Sequence, residues 1–198
     1  MNFPDKAKVA IIDSSKADVE QISHLAQCYF KLEYYSDPDE FELAAKTHHF
    51  DGIITELQFS RTTPQKVLDN YLANKSIKNI VVMTGCPDAR IAVQSLKSGI
   101  ADFILKPLVE SQLIEALDNF RTRISSYKVD NKINSLSARE RDVCELISNG
   151  YSSKEIAREL DISPRTVDVH RAKILAKMGV NRSSQLVFMN NTQYRTSS

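Results

Sequence analysis

The stretch FDGIITELQFS, residues 50–60, holds a short apolar run, Gly52 to Thr55, that ends on an acid, Glu56. A run of this length, bounded by polar residues, suits a strand covered on both faces, as in a parallel sheet. Such sheets place their functional groups outside the carboxyl ends of the strands. Three other runs repeat the arrangement. KVAIID (8–13) ends on Asp13, NIVVMT (79–84) ends on Thr84, and DFIL (102–105) is followed by Lys106-Pro107. With KLEYYS (31–36) they make five strand candidates. Four of the five end on, or just before, a polar residue able to do chemistry, which a chance scatter would not produce.

Helical segments lie between the strands. Residues 15–30 place Val19, Ile22, Leu25, Ala26 and Tyr29 on one face. Asp37-Pro38 offers a cap and a first-turn proline for a helix with Phe41, Ala44 and Ala45 inward. Thr63-Pro64 opens a helix carrying Val67, Leu68, Tyr71 and Leu72, and Pro87-Asp88 opens another near Ile91, Ala92, Ser95, Leu96 and Gly99. Glu110 to about Tyr127 is amphipathic through Leu113, Leu117, Phe120 and Ile124. Five alternating units predict an α/β domain over residues 1–124, a parallel sheet with helices on both faces. SSYKVDNKINS (125–135) is polar and reads as a linker, or as a continuation of the preceding helix.

Residues 136–198 read as a small all-α domain of four helices with a short polar tail, NNTQYRTSS. Ser137 with Glu140, and Ser152 with Glu155, have capping-box spacing. Val143, Leu146 and Ile147 face inward, and Asn149-Gly150 stops the first helix. KEIARELD forms the second. After the turn DIS, Ser163-Pro164 opens a third that runs to Gly179, and a fourth begins near Ser183 with Leu186 and Val187 inward. Two short helices around a tight turn, the second opened by Ser-Pro and basic, make a helix-turn-helix.

Composition narrows the function classes. The 198 residues are 42% hydrophobic and 26% charged, ordinary for a chain that buries a core. No apolar run approaches the ~20 residues that span a bilayer, and MNFPDKAKVA lacks the order of a signal peptide. Cys28, Cys86 and Cys144 form neither a metal-ligand pattern nor a disulfide framework, so they read as buried thiols in a reducing cytoplasm. Net charge is +1 but uneven. Residues 1–123 carry 14 Lys+Arg against 17 Asp+Glu, a balance of −3, whereas residues 137–198 carry 10 against 7, a balance of +3. A basic unit joined to an acidic one points to nucleic-acid contact through the second.

Taken together, KVAIID, VVMTG, ADFILKP and LSARERDVCELISNGYSSKEIARELDISPRTVDVHRAKILAKMGV (136–180) resemble a two-domain response regulator of the NarL/FixJ class, nearest the FixJ branch. The resemblance covers nearly the whole chain. It implies a flavodoxin-like receiver with a five-stranded, doubly wound parallel sheet, followed by a LuxR-type helix-turn-helix domain. In a phosphorylatable receiver an aspartate after the third strand accepts the phosphoryl group. Mg²⁺ is held there by that aspartate and an acidic pair, because two anions must be brought together. A hydroxyl and a lysine hold the phosphoryl oxygens.

By this resemblance Thr84 and Lys106 are the hydroxyl and lysine, Phe103 the switch aromatic, Pro107 the proline that follows a cis bond, and Asp13 the first acid. Three features depart from the pattern. Ser14 stands for the second acid, Glu56 stands for the phospho-acceptor, and LQFSRTTP lacks the usual Met-Pro and glycine. Glutamate carries its carboxylate about 1.5 Å further out than aspartate, and proximity catalysis responds to ~1 Å. Ser14 also removes an anionic metal ligand, which weakens Mg²⁺ binding. The expectation is therefore no cofactor, no phosphotransfer, and a Glu56 that reaches Lys106 and Thr84 directly. The plain alternative is a relic ion pair with no regulatory state attached.

In the second domain the resemblance points to Ser152, Ser153, Lys154, Arg165, Thr166, Asp168, Val169, Arg171, Ala172 and Lys173 as the DNA-binding set. Val169 suits a thymine methyl; Arg171 or Lys173 suits guanine or phosphate; Asp168 accepts from cytosine or orients an arginine. Val167, Ile174, Leu175 and Met178 follow inward helical spacing, and His170 packs or touches phosphate. The expected partner is double-stranded promoter DNA with an inverted repeat, bound by a homodimer. In this family the helix after the fourth strand, the fifth strand and the following helix often pair, which points to Ile91, Leu96, Ile100 and Phe103; core packing is the plain reading of the same residues. The leading expectation is a cytoplasmic, non-enzymatic transcription regulator whose receiver works without phosphorylation. The alternatives are a regulator switched by a histidine kinase, and one controlled by a protein partner or small ligand on the receiver-like domain.

Overall fold

A computed structural model describes residues 6–74, 77–85 and 100–186. The chain divides into two compact units, Met1–Ile124 and Ser125–Ser198. The first contains β1 (Ala7–Ile12), α1 (Lys16–Ala26), β2 (Phe30–Tyr35), α2 (Pro38–Ala45), β3 (Gly52–Thr55), α3 (Pro64–Ala73), β4 (Ile80–Thr84) and β5 (Asp102–Leu105). The sheet is parallel throughout, in the order β2-β1-β3-β4-β5. The helix expected near Ile91 and Leu96, and with it Cys86, lies outside the described residues.

Successive strand residues point to opposite faces, so each apolar run feeds two cores. Val9, Ile11, Ile54, Val81, Met83 and Ile104 pack with Ile22 and Ala26 of α1 and with Leu113, Leu117 and Phe120. Those last three belong to α4 (Glu110–Asn134). Ala10, Ile12, Ile53, Ile80 and Val82 face the other way, onto Phe41 of α2 and Val67, Leu68 and Tyr71 of α3. Each fully buried Ile or Val in these layers contributes roughly 2 kcal/mol. The sheet is thus held from both sides, and its strand ends are left as the open rim.

The helix caps follow the sequence. Ser15, Asp37 and Thr63 accept from backbone N–H groups in the first turns of α1, α2 and α3. α1 stops at Ala26, earlier than its apolar spacing suggests, because Phe30 is taken by β2. Tyr29 and Cys28 are consequently exposed, which corrects the reading of Cys28 as a buried thiol. Cys144 is half-buried.

The second unit begins within α4. Residues 125–134 continue the preceding helix, the second of the two readings of this polar stretch. Ile133 packs on the second unit's core, and Lys132 donates from Nζ to the carbonyl of Met178 at 2.9 Å. Then come α5 (Ala138–Ser148), α6 (Ser153–Glu159) and α7 (Pro164–Met178), and residues 183–186 are helical. Both expected capping boxes are formed, Ser137 with Glu140 and Ser152 with Glu155. Leu136, Val143, Ile147, Ile156, Val167, Ile174, Met178 and Leu186 make the core; Val187 lies outside the described residues. α7 ends on Gly179 at φ 66°, a left-handed cap that suits glycine.

Candidate functional site

Parallel register brings the strand ends together. Ile12 pairs with Thr55, so Asp13 and Glu56, each the next residue, are neighbours. Thr84 pairs with Leu105, which sets Lys106 beside them. The backbone locks this layout: Glu56 N donates to Ile12 O at 2.9 Å, and Lys106 N donates to Thr84 O at 3.0 Å. The Lys106–Pro107 bond is cis, as expected.

Lys106 is the hub of the cluster. Its Nζ lies 2.6 Å from Asp13 Oδ2, 2.8 Å from Asp18 Oδ2 and 2.9 Å from Glu56 Oε2. The other oxygen of Glu56, Oε1, accepts from the backbone N–H of Leu57 at 2.7 Å and of Gln58 at 3.0 Å. The Thr84 side chain, itself fully buried, hydrogen-bonds the same carboxylate. Asp13 Oδ1 accepts from Ser15 N at 2.8 Å.

Burial works against charge here. It pushes the Glu56 carboxyl up, but the hydrogen bonds from Thr84, Gln58, Lys106 and Leu57 outweigh it and hold Glu56 below its ordinary value. Burial disfavours the Lys106 ammonium, yet Asp13, Asp18 and Glu56 together raise it well above an ordinary lysine. Asp18 is likewise pushed up by burial and brought down further by Lys106 and Ser15. The outcome is one ammonium held by three carboxylates in a half-dry rim.

This geometry bears on a metal. A divalent cation needs several oxygen ligands converging on one point. The point where Asp13, Asp18 and Glu56 converge is filled by the Lys106 ammonium, and Ser14 is exposed to solvent. Among the described residues no group of three or more His, Cys, Asp or Glu is disposed to hold a metal ion. The donor set does not fit a bound Mg²⁺.

The structure brings Asp13, Glu56, Thr84 and Lys106 together and leaves Ser14 aside. It adds Asp18, which the sequence reading missed. Ser15-x-x-Asp18 has cap spacing, with the acid in the first turn of α1, and that was its available signal. Phe103 is half-buried against the second sheet core. Ile100, read as part of a pairing face, is 4% exposed and packed in that same core with Ile80 and Val82. It carries no free surface in the single chain, because it is packed against Ile53 of β3 and Ile80 and Val82 of β4. Ile91 and Leu96 lie outside the described residues.

In the second unit α6, a tight turn and α7 form the helix-turn-helix. Asp161 carries the turn at φ 52°. Ser163 caps α7 by accepting from Thr166 N at 3.1 Å. Arg165, Thr166, Asp168, Val169, Ala172 and Lys173 are exposed on α7, and Val169 leaves 50% of its surface to solvent. Exposed aliphatic surface on a helix otherwise lined by polar residues suits a groove-facing stripe. Ser152 is consumed by its capping box, whereas Lys154 is exposed. Arg171 departs from the expectation. It is half-buried and donates to Ser183 Oγ at 2.8 Å and to Ser153 Oγ at 3.1 Å.

Comparison with known proteins agrees with both units. The family model GerE, "Bacterial regulatory proteins, luxR family", matches residues 134–190. The transcriptional regulatory protein FixJ of Bradyrhizobium diazoefficiens is 31% identical over 191 residues, covering 92% of this chain and 93% of that protein. The response regulator protein TodT of Pseudomonas putida is 36% identical over 198 residues, covering 94% of this chain and 86% of that protein. Among solved structures, RcsB from Salmonella enterica serovar Typhimurium bound to promoter rprA matches with a TM-score of 0.51 at 19% identity. That match covers 93% of this chain and 99% of that one, and it speaks for the fold alone.

Proposed function

The chain belongs to the FixJ-like response regulators with a LuxR-type DNA-binding domain, a family of transcription factors and not of enzymes, and from that premise we propose that its receiver acts without phosphorylation. In this reading Glu56 stands where relatives carry the phospho-acceptor. Its carboxylate serves in place of a phosphoryl group, engaging the lysine and hydroxyl that would otherwise hold one. The observation that carries the reading is the double seating of Glu56. Oε2 is 2.9 Å from Lys106 Nζ, while Oε1 accepts from the backbone of Leu57 and Gln58. A carboxylate with both oxygens engaged is a poor nucleophile. The misfit of the acid cluster to Mg²⁺ argues the same way.

The working output is promoter DNA, in the cytoplasm where promoters are. The proposed contact set is Arg165, Thr166, Asp168, Val169, Ala172 and Lys173 on α7 with Lys154 on α6, in keeping with their exposure. A helix-turn-helix reads a half-site of a few base pairs, which favours a dimer on an inverted repeat. Intact-mass analysis after treatment with acetyl phosphate and Mg²⁺ tests the proposal. The expected result is no phosphoryl adduct; a stoichiometric adduct on Glu56 overturns it.

A further inference from the structure

α7 has an inward seam and an outward stripe. Val167, Ile174 and Met178 are buried at spacings of seven and four. Arg171, four residues after Val167 and three before Ile174, lies on that same seam. A guanidinium there points between helices rather than out to a groove. Its fork is used accordingly: one terminal nitrogen donates to Ser183 Oγ at 2.8 Å and the other to Ser153 Oγ at 3.1 Å. Its Nε is buried without a partner among the described residues, so those two hydroxyls carry its polar contacts. The arginine thus ties α7 both to the first residue of α6 and to the helical turn at 183–186.

The Ser153 hydroxyl does a second thing. A hydroxyl has one donor hydrogen and two acceptor sites. One acceptor site is filled by Arg171, and the hydrogen is donated to Asp168 Oδ1 at 3.0 Å. Asp168, unlike Arg171, is exposed, one residue from Val169 on the outward side. One oxygen of this carboxylate is therefore fixed from below by a hydroxyl that is itself fixed by an arginine. A carboxylate accepts and never donates, so in the major groove it favours a base presenting an amino hydrogen, cytosine foremost, and disfavours the acceptor edge of guanine.

We infer that Ser153 is a positioning residue for Asp168, that Asp168 selects cytosine at one position of the DNA site, and that Arg171 is an internal clamp rather than a DNA contact. The inference rests on α6 and α7 being the DNA-contacting pair. If the unaltered protein selects no sequence, it is that reading which fails.

The experiment is selection of bound duplexes from a randomised library by the full-length protein, followed by titrations on single-base variants of the selected site at several salt concentrations. Ser153→Ala is expected to lose roughly five-fold or more of the discrimination at a single base pair, with discrimination elsewhere kept and the salt slope unchanged. Ser153→Thr keeps the hydroxyl and restores the preference. Asp168→Asn, at an exposed position that leaves the core alone, is expected to move the preference at that base pair from cytosine to adenine, the natural partner of an asparagine. Arg171→Gln is expected to lower thermal stability and leave the salt slope as it was. A uniform loss across all base positions in Ser153→Ala, an unchanged profile in Asp168→Asn, or a salt slope reduced by about one in Arg171→Gln, the mark of a lost phosphate contact, overturns the inference.

Discussion

Lys106 Nζ stands 2.9 Å from Glu56 Oε2, and the same ammonium also serves Asp13 and Asp18. Removing the lysine leaves three carboxylates facing one another. Deleting one partner of a buried pair costs roughly 3–5 kcal/mol. Asp18 keeps 24% of its side chain in solvent and Lys106 keeps 14%, so the lower end of that range applies. Lys106→Met should lose about 3 kcal/mol by urea denaturation, and Lys106→Met with Glu56→Gln should recover part of it. A single-variant loss within the error of the titration would show that water already screens the cluster.

Acid should weaken both units, for a reason that has a definite sign. Glu56, Asp18 and Glu140 all have folded-state values below their ordinary ones. Such groups stabilise the fold above the unfolded value and lose that contribution as pH falls. Glu140 is the sharpest case. The hydrogen bond from Lys177, with Nζ 2.6 Å from Oε2, and the backbone N–H of Ser137 bring it from 4.5 to about 2. Its contribution should be complete above pH 4.5 and gone by about pH 2. Glu140→Gln should lower the melting temperature at pH 7 and approach the unaltered protein near pH 2. Lys106, raised, contributes fully below its ordinary value and adds nothing to the acid transition.

Gly52 sets how closely α4 approaches β3. A Cβ there would lie 2.5 Å from Phe120 Cζ and 2.9 Å from the carbonyl of Asn79. The ring can shift, but a carbonyl in the strand pairing cannot. Gly52→Ala should therefore destabilise by roughly 1–3 kcal/mol, and Phe120→Leu in the same chain should not restore the lost stability. Full recovery in the double variant would place the conflict on the ring alone.

Asp161 holds a left-handed conformation in the turn of the helix-turn-helix. Asp tolerates this better than most residues, and glycine better still. Asp161→Gly should be neutral or mildly stabilising in thermal melts. Asp161→Val should be clearly destabilising, because a β-branched side chain is an outlier at this φ.

The parallel sheet and the helix-turn-helix were legible because their signals are local. Apolar runs that end on Asp13, Glu56, Thr84 and Lys106 need only strand length and strand ends to be placed together. Ser137 and Ser152 announce their caps by spacing alone. What escaped depends on which side of an element faces inward. Asp18 enters the lysine cluster because α1 starts immediately above Asp13, a fact about packing rather than pattern. Ile100 is apolar on either reading, and only its packing with Ile80 and Val82 decides for core. The family resemblance points Arg171 to the groove, although its spacing from Val167 and Ile174 puts it on the buried seam. Residues 125–135 suit a linker or a continued helix by pattern alone, and the partners of Ile133 and Lys132 in the second unit go with the helix.

The most direct test of the account is a titration of promoter DNA with the untreated full-length protein, repeated after incubation with acetyl phosphate and Mg²⁺. Tight, salt-sensitive binding with the same dissociation constant in both arms is expected, since Glu56 already engages Lys106 and Thr84. Weak binding that tightens on treatment with the phosphodonor would contradict it and return the receiver to phosphorylation control.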